Sequence, residues 1–351
     1  MSRNQASSPK QTAVQIQQGN KRALARLITQ IENKEAVAQS VLSELYPNSG
    51  QAHLIGVTGS PGTGKSTLVT SLAQVYRQQG QTVAIVAVDP TSPFSGGALL
   101  GDRVRMMQLA GDSGIFIRSM ANRGHLGGLA QTTNDVVKAL DGAGYEIILI
   151  ETVGAGQSEI EIVQAAHSII VVEAPGLGDG VQAIKAGILE IADIYVVNKA
   201  DRPEANKTVS ALRNMLDLGH PPPTHYQHHG LLLANSEAEM SSSEADSATT
   251  DVSTWQHPII KTIAIKGDGV SDLVTAISDH GKFLHESNLL KTRNHHRLIA
   301  EIETRLQGKL IDHYLKRLPQ PDLVNIRNQV LAGHLTPYAA VEIILSMLSR
   351  E

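Results

Sequence analysis

Nine residues, Gly59-Ser60-Pro61-Gly62-Thr63-Gly64-Lys65-Ser66-Thr67, combine flexible positions with one lysine and several hydroxyls. Glycines let the backbone curl so that successive N–H groups face a phosphate chain, and a following helix adds the positive end of its dipole. Lys65 can reach β- and γ-phosphates, and the Ser66 hydroxyl can ligate magnesium. The flanks suit the motif: the apolar run His53-Leu54-Ile55-Gly56-Val57 reads as a strand before it, and Thr67 to Gln79 reads as a helix after it. The stretch predicts a nucleotide-binding protein.

The base and the reaction each have candidates. Asn198-Lys199-Ala200-Asp201 closes the apolar run Ile194–Val197. A carboxylate at Asp201 can accept from N1–H and the exocyclic amine of guanine, whereas adenine offers no such donor pair and would leave the acid unpaired. Asn198 would brace the loop and the Lys199 stem would cover the base, so the pattern predicts GTP rather than ATP. Glu151-Thr152-Val153-Gly154 ends the run Ile147–Ile150. There Glu151 can hold magnesium, and Gly154 can bring a backbone N–H to the γ-phosphate and move when that phosphate leaves. Asp89, at the end of a strand, and Asp102, opening a helix-like segment, are further oxygen ligands for magnesium or its water, with helix capping as the other role open to them. Gln157 could orient the attacking water, but spacing alone does not select it. His225, His228 and His229 sit in a polar stretch without a rigid frame, which favours a solvated linker over a metal site.

The elements that must position these residues follow from pattern. Seven β-branched runs (His53–Val57, Thr82–Val88, Gly114–Ser119, Tyr145–Glu151, Ser168–Val172, Asp193–Asn198 and Ile259–Ile265) alternate with helical patterns. Several are apolar without alternation, as expected of strands covered on both faces. The reading is an α/β fold, a P-loop domain with a mostly parallel, doubly wound sheet whose ligands lie beyond the carboxyl ends of the strands. Residues 1–12 are polar and expected to be disordered, 13–48 form an N-terminal helical extension, and 49–285 form the nucleotide domain. Within that domain, about 221–254 is a flexible insertion. Residues 286–351 are helical, with an apolar stripe through Leu298, Ile299, Ile302, Leu306, Leu310, Ile311 and Leu315 suited to packing on the parent domain or on a second subunit.

Composition bounds the rest. A net charge of −4 gives no electrostatic case for nucleic acid or an anionic membrane. With no cysteine, disulfides and thiolate metal sites are excluded. The N-terminus lacks the apolar core of a signal peptide, and no run of 18 or more apolar residues suggests a membrane span, so a cytoplasmic protein is expected.

The motifs together resemble the MeaB/ArgK-type P-loop GTPases of the SIMIBI class, chaperones of adenosylcobalamin-dependent methylmalonyl-CoA mutase. The resemblance rests on the P-loop, the stretch Asp89-Pro90-Thr91-Ser92-Pro93-Phe94 continuing to Asp102-Arg103, Arg123-Gly124-His125, Glu151 to Gly154, Pro175-Gly176-Leu177-Gly178-Asp179, and Asn198 to Arg202. It implies GTP/GDP and Mg2+ as ligands, with Asp89, Asp102 and Glu151 joining Ser66 in the magnesium and catalytic shell. It also implies a mobile switch from Gly176 to Lys185 carrying Asp179, Gln182 and Lys185, a homodimer through the C-terminal helices, and an acyl-CoA mutase partner whose cofactor loading is gated by GTP hydrolysis. Slow intrinsic turnover, stimulated by the partner, would be expected. Three departures stand out. Ile263-Ala264-Ile265 replaces the family's usual Ser-Ala in the last guanine-contacting loop, keeping backbone N–H contacts but losing a serine. The insertion has no counterpart, and His167 replaces an expected acid while facing away from the nucleotide. Competing readings are a transport-associated ATPase or kinase, a nickel-insertion GTPase, and a nucleotide-stabilised binding module.

Overall fold

The computed structural model describes residues 8–90, 107–109, 111–122, 128–152, 166–176, 189–217 and 254–348. Seven strands form one sheet: β1 His53–Thr58, β2 Val83–Pro90, β3 Ile115–Asn122, β4 Ile147–Thr152, β5 Ser168–Glu173, β6 Ile194–Asn198 and β7 Ile259–Thr262. Their order is β3-β2-β4-β1-β5-β6-β7, and every neighbouring pair is parallel. All seven runs read from the sequence are therefore strands. β7 stops at Thr262, short of the expected Ile265, because the chain turns there: the Ile263 N–H donates to the Asp268 carbonyl and the Lys266 N–H to the Ile263 carbonyl.

The unbroken apolar runs arise because both faces are covered. Ile55, Val57, Ile85, Leu149, Ile170 and Val196 point to one face, beneath α4 (Lys65–Gln78) and α7 (Val270–Glu286). On the other face Ala84, Val86, Ile148 and Ile150 lie with three N-terminal helices and α5 (Gly128–Gly142). Further along that face, Ile169, Val171, Tyr195 and Val197 lie beneath α6 (Ala205–Asp217).

The N-terminal helices are α1 Pro9–Gln17, α2 Lys21–Glu32 and α3 Ala36–Leu45. Asn20 caps α2 by accepting from the Arg22 and Ala23 N–H groups, and its buried stripe is Leu24, Leu27, Ile28 and Ile31. An Arg118–Glu32 ion pair, with Thr29 accepting from the same guanidinium, fastens α2 to edge strand β3. One expectation is corrected: residues 9–12 are helical rather than disordered. Ser8 caps the Gln11 N–H, Pro9 fits a first turn, and Ala13 and Ile16 are buried.

The described residues up to Lys291 form one compact unit, and those from Thr292 form a second. That division falls inside α8 (Leu289–Arg317). In the second unit Pro319 caps α9 (Gln320–Leu331), which packs with α10 (Pro337–Leu348). The insertion from about 221 to 254 falls outside the described residues but for its last position.

At the amino edge of the sheet lies a buried polar network that sequence spacing does not show. The Ser168 hydroxyl is 2.9 Å from His53 Nε2 and 2.8 Å from His280 Nδ1. His280 Nε2 lies 3.3 Å from Asp193 Oδ1, while Asp193 Oδ2 accepts from the Ile169 N–H. Trp255 donates its indole N–H to the Asp193 carbonyl and packs on the His280 ring. His167 joins the same edge, stacked on His53 and accepting the Leu54 N–H, so it does face away from the nucleotide end. Burial, with the neighbouring charges of His280 and His285, pushes the His53 imidazole down to about 4, against a smaller opposing pull from Asp193.

Folded His53 thus binds fewer protons than unfolded His53 between pH 6.5 and 4. Its stabilisation is complete above pH 6.5 and is lost as pH falls through 4, with a ceiling of about 3 kcal/mol from the pKa difference. Urea unfolding at pH 7 and pH 5 should show lower stability at pH 5. His53→Gln should flatten that difference, and an unchanged slope would remove His53 as its source.

Candidate functional site

The site is built at the carboxyl ends of β1, β4, β5 and β6. β1 runs into the loop Gly59–Gly64, and α4 begins at Lys65. Gly59 takes a φ of 137° beside β5, where a Cβ would run into the Val172 carbonyl, so only glycine fits. Gly64 (φ 94°) caps α4, and a Cβ there would strike the Asn198 side-chain amide. The first turn of α4 presents backbone N–H groups and its positive dipole end at this point, as an anion site requires.

Lys65 is buried and folds back on the loop, donating to the Gly59 carbonyl at 2.7 Å and the Ser60 carbonyl at 3.1 Å. The Ser66 hydroxyl donates to Glu151 Oε1 at 2.6 Å, and both residues are buried. A hydroxyl and a carboxylate within one hydrogen bond are the hard-oxygen set that a magnesium ion takes. Asp89 stands at the end of β2, paired in register with Ala121, while its side chain, like Asp102, Gly154, Gln157, Asp179, Gln182 and Lys185, lies outside the described residues. His225, His228 and His229 lie outside them too. Among the described residues no cluster of three or more metal-ligating side chains occurs.

The base end centres on Asn198, which is 2% exposed. Its Nδ2 donates to the Thr63 carbonyl at 2.8 Å, and its Oδ1 accepts from the Thr262 hydroxyl at 3.1 Å and the Ala264 N–H at 3.0 Å. Asn198 braces the P-loop as expected, and it holds the last loop as well. Lys199 adopts a positive φ of 56° and donates to the Gly62 carbonyl at 2.6 Å, so its stem lies along the loop. Strain of this kind at a non-glycine residue is retained where surrounding contacts over-determine it. Asp201 is exposed on the turn after β6, open to a ligand.

The contribution of Ile263-Ala264-Ile265 differs from the expectation that their backbone N–H groups serve the base. Ile263 N–H is spent on Asp268 and Ala264 N–H on Asn198, so the N–H of Ile265 is the one left for a ligand. Ile265 itself is 85% exposed.

Two residues escaped sequence reasoning. Thr262 becomes visible only once β6 and β7 are paired, which sets Asn198 opposite it. Glu173 ends β5 beside the P-loop, and its Oε1 has no hydrogen-bond partner among the described residues. Burial pushes its carboxyl up to about 7, partly offset by the Lys65 ammonium. A charged residue closing a strand after four apolar residues, Ile169 to Val172, is the available signal.

Comparison with known proteins follows this geometry. The family model described as methylmalonyl Co-A mutase-associated GTPase MeaB matches residues 24–318. A protein of Pyrococcus horikoshii named as a GTPase is 42% identical over 333 residues, covering 95% of this chain and 96% of the relative. GTPase ArgK of Escherichia coli is 37% identical over 206 residues, 58% of this chain and 62% of ArgK. The mouse mitochondrial methylmalonic aciduria type A homolog is 29% identical over 350 residues, covering 93% of this chain and 76% of the relative. The crystal structure of a LAO/AO transport system kinase shares the fold at a TM-score of 0.66 and 22% identity, covering 99% of this chain and 100% of that one.

If Lys65 is the phosphate lysine, Glu173 is expected to make nucleotide binding depend on pH. When Lys65 turns toward phosphate, Glu173 loses its cation and gains an anionic neighbour, so its pKa rises and a proton is taken up. Affinity for GTP should therefore fall by up to about tenfold between pH 6 and pH 8 beyond the nucleotide's own titration. Titrating Glu173→Gln alongside the parent protein isolates that component, and identical pH profiles for the two would contradict it.

Proposed function

The chain belongs to the MeaB family of GTPases, and we propose that it is a GTP-hydrolysing chaperone of an adenosylcobalamin-dependent acyl-CoA mutase. In this reading it gates cofactor loading and protects or reactivates the mutase, with methylmalonyl-CoA mutase as the first partner to test. The family match across residues 24–318 supports the partner class. The Asn198 hub, beside an exposed Asp201, supports guanine as the base.

Each residue then has a task in the reaction. Backbone N–H groups of the loop and of the first turn of α4 receive the β- and γ-phosphates. Lys65 exchanges two carbonyl partners for phosphate oxygens, placing a cation where charge builds up as the γ-phosphoryl leaves. Ser66 and Glu151 would hold Mg2+, together with Asp89 and Asp102 as the resemblance implies; the ion supplies charge neutralisation across the phosphates. Asp201 accepts from the Watson–Crick edge of guanine, and the Lys199 stem covers the ring. Asp179, Gln182 and Lys185 form the segment that relays nucleotide state to the mutase.

The same proposal includes a homodimer. Along α8, Leu298, Ile302, Leu306 and Leu310 are 43–50% exposed at helical spacing, an apolar stripe that a second copy would cover. Among the described residues no helix is long and apolar enough to cross a membrane. A cytoplasmic location is part of the proposal.

GTP turnover measured with and without purified methylmalonyl-CoA mutase, and with ATP as control, tests the central claim. Stimulated GTP turnover that disappears in Lys185→Ala, while nucleotide still binds, is expected. Turnover that no acyl-CoA mutase alters would remove the partner and leave the GTPase. For the dimer, light scattering should report two copies for the parent chain and one for the double variant Ile302→Asp, Leu306→Asp. A monomeric parent would end that part of the reading.

A further inference from the structure

Ser71 lies on α4, five residues beyond Ser66 and away from the phosphate motif. Its hydroxyl is 2.7 Å from the carbonyl of Ala264, across 193 residues of sequence, and 3.1 Å from the carbonyl of Thr67 one turn back. A serine hydroxyl has one hydrogen to donate. The Thr67 carbonyl already accepts the helical N–H of residue 71, as a mid-helix carbonyl does. The shorter contact, to Ala264, is therefore the one the hydroxyl serves.

The consequence follows from peptide geometry. The carbonyl of Ala264 and the N–H of Ile265 belong to one planar trans peptide, in which the two point in opposite directions. The N–H on the near side of Ala264 is also fixed, by Asn198 Oδ1 at 3.0 Å. Two hydrogen bonds from other elements thus clamp Ala264, from α4 and β6, and the Gly267 N–H adds a longer local one to the same carbonyl at 3.3 Å. Pulling its carbonyl toward α4 turns the Ile265 N–H outward, and that N–H has no protein partner among the described residues. Ile265 is 85% exposed, so a ligand can reach it.

We propose that Ser71 is a positioning residue for guanine recognition: its hydroxyl, through the Ala264 carbonyl, aims the Ile265 N–H at the O6 acceptor of the base. Asp201 reads the donor edge of guanine, and this peptide reads the neighbouring acceptor. The inference rests on the guanine-binding reading of this loop. It adds a physical link between the helix that carries the phosphate lysine and the loop that reads the base.

The test uses the full-length protein and three diphosphates competing against a fluorescent GDP. GDP and inosine diphosphate carry O6; the 2-aminopurine riboside diphosphate does not. Ser71→Ala keeps the helix, since alanine is the best helix former. It should weaken GDP and inosine diphosphate alike by about fivefold to tenfold, the worth of one net hydrogen bond, and the O6-less analogue by less than about twofold. Ser71→Thr, which retains the hydroxyl, should restore both. Ser43→Ala removes a helical serine bonded only to its own helix, at the Gln39 carbonyl, and should change none of the three. Equal weakening of all three diphosphates would assign Ser71 to the helix or the phosphates and overturn the proposal. So would no weakening, or a loss that threonine does not reverse. A parent protein that fails to prefer GDP over ADP would instead overturn the guanine reading itself, a separate result.

Discussion

One buried primary amide holds the nucleotide end together. Asn198 spends a donor on the P-loop at Thr63 and its oxygen on two partners, Thr262 at the end of β7 and Ala264 in the turn after it. No other side chain of that size offers a donor and an acceptor in this arrangement. Aspartate would set an acceptor against the Thr63 carbonyl, and glutamine would overreach. Leaving any of these buried partners unsatisfied costs about 1–3 kcal/mol each. The glycine at 64 and the positive φ at Lys199 are consequences of that centre: one makes room for the amide, and the other turns the next side chain back over Gly62.

The two ends of the sheet show how burial separates chemistry from architecture. At the amino edge Ser168, His280 and Asp193 stand in the order and near the distances of a nucleophilic triad. Ser168 is fully buried and His280 is 1% exposed, so no substrate reaches the hydroxyl. The same groups instead pin α7 to the starts of β1, β5 and β6. At the carboxyl edge Lys65, Ser66, Glu151 and Asn198 are buried too, but two groups beside them reach solvent: Asp201 is exposed, and the Ile265 N–H is unspent. Polar constellations occur at both edges because strand ends leave backbone groups that need partners. Among the described residues, the exposed polar groups of these two constellations lie at the carboxyl edge.

The sequence made legible whatever depends on local pattern. Seven strands, the P-loop and its helix, and the guanine tetrapeptide all declare themselves within ten or so residues, because strand burial on both faces and glycine-dependent turns leave compact signatures. What remained hidden depends on contacts between distant segments. Ser71 meets Ala264, Asn198 meets Thr262, and Ser168 meets His53 and His280 only after the sheet has closed its register. The start of α1 is hidden for another reason: polar composition suggests disorder, while a capping serine and two inward residues, Ala13 and Ile16, are enough to order a helix. The end of β7 was missed because β-branched residues continue past the point where the backbone turns.

Lys65 shows why base and phosphate recognition have separate duties. A buried ammonium must be satisfied, and here the loop's own carbonyls at Gly59 and Ser60 satisfy it. In the proposed reading, nucleotide binding at this residue is an exchange of partners, and its gain is the difference between neutral carbonyls and anionic phosphate oxygens. Charge-assisted hydrogen bonds are roughly twice as strong as neutral ones, so the exchange favours the most highly charged ligand. The base hub around Asn198 has no group that distinguishes a diphosphate from a triphosphate. In the proposed GTP-binding reading, Lys65, Ser66 and Glu151 take that role, since the lysine and the magnesium-holding pair are the groups assigned to the phosphates. Gly62 and Thr63 join the two, since their carbonyls are held from the base side by Lys199 and Asn198 while the same loop supplies the resting partners of Lys65. The same loop is thus hydrogen-bonded from both sides.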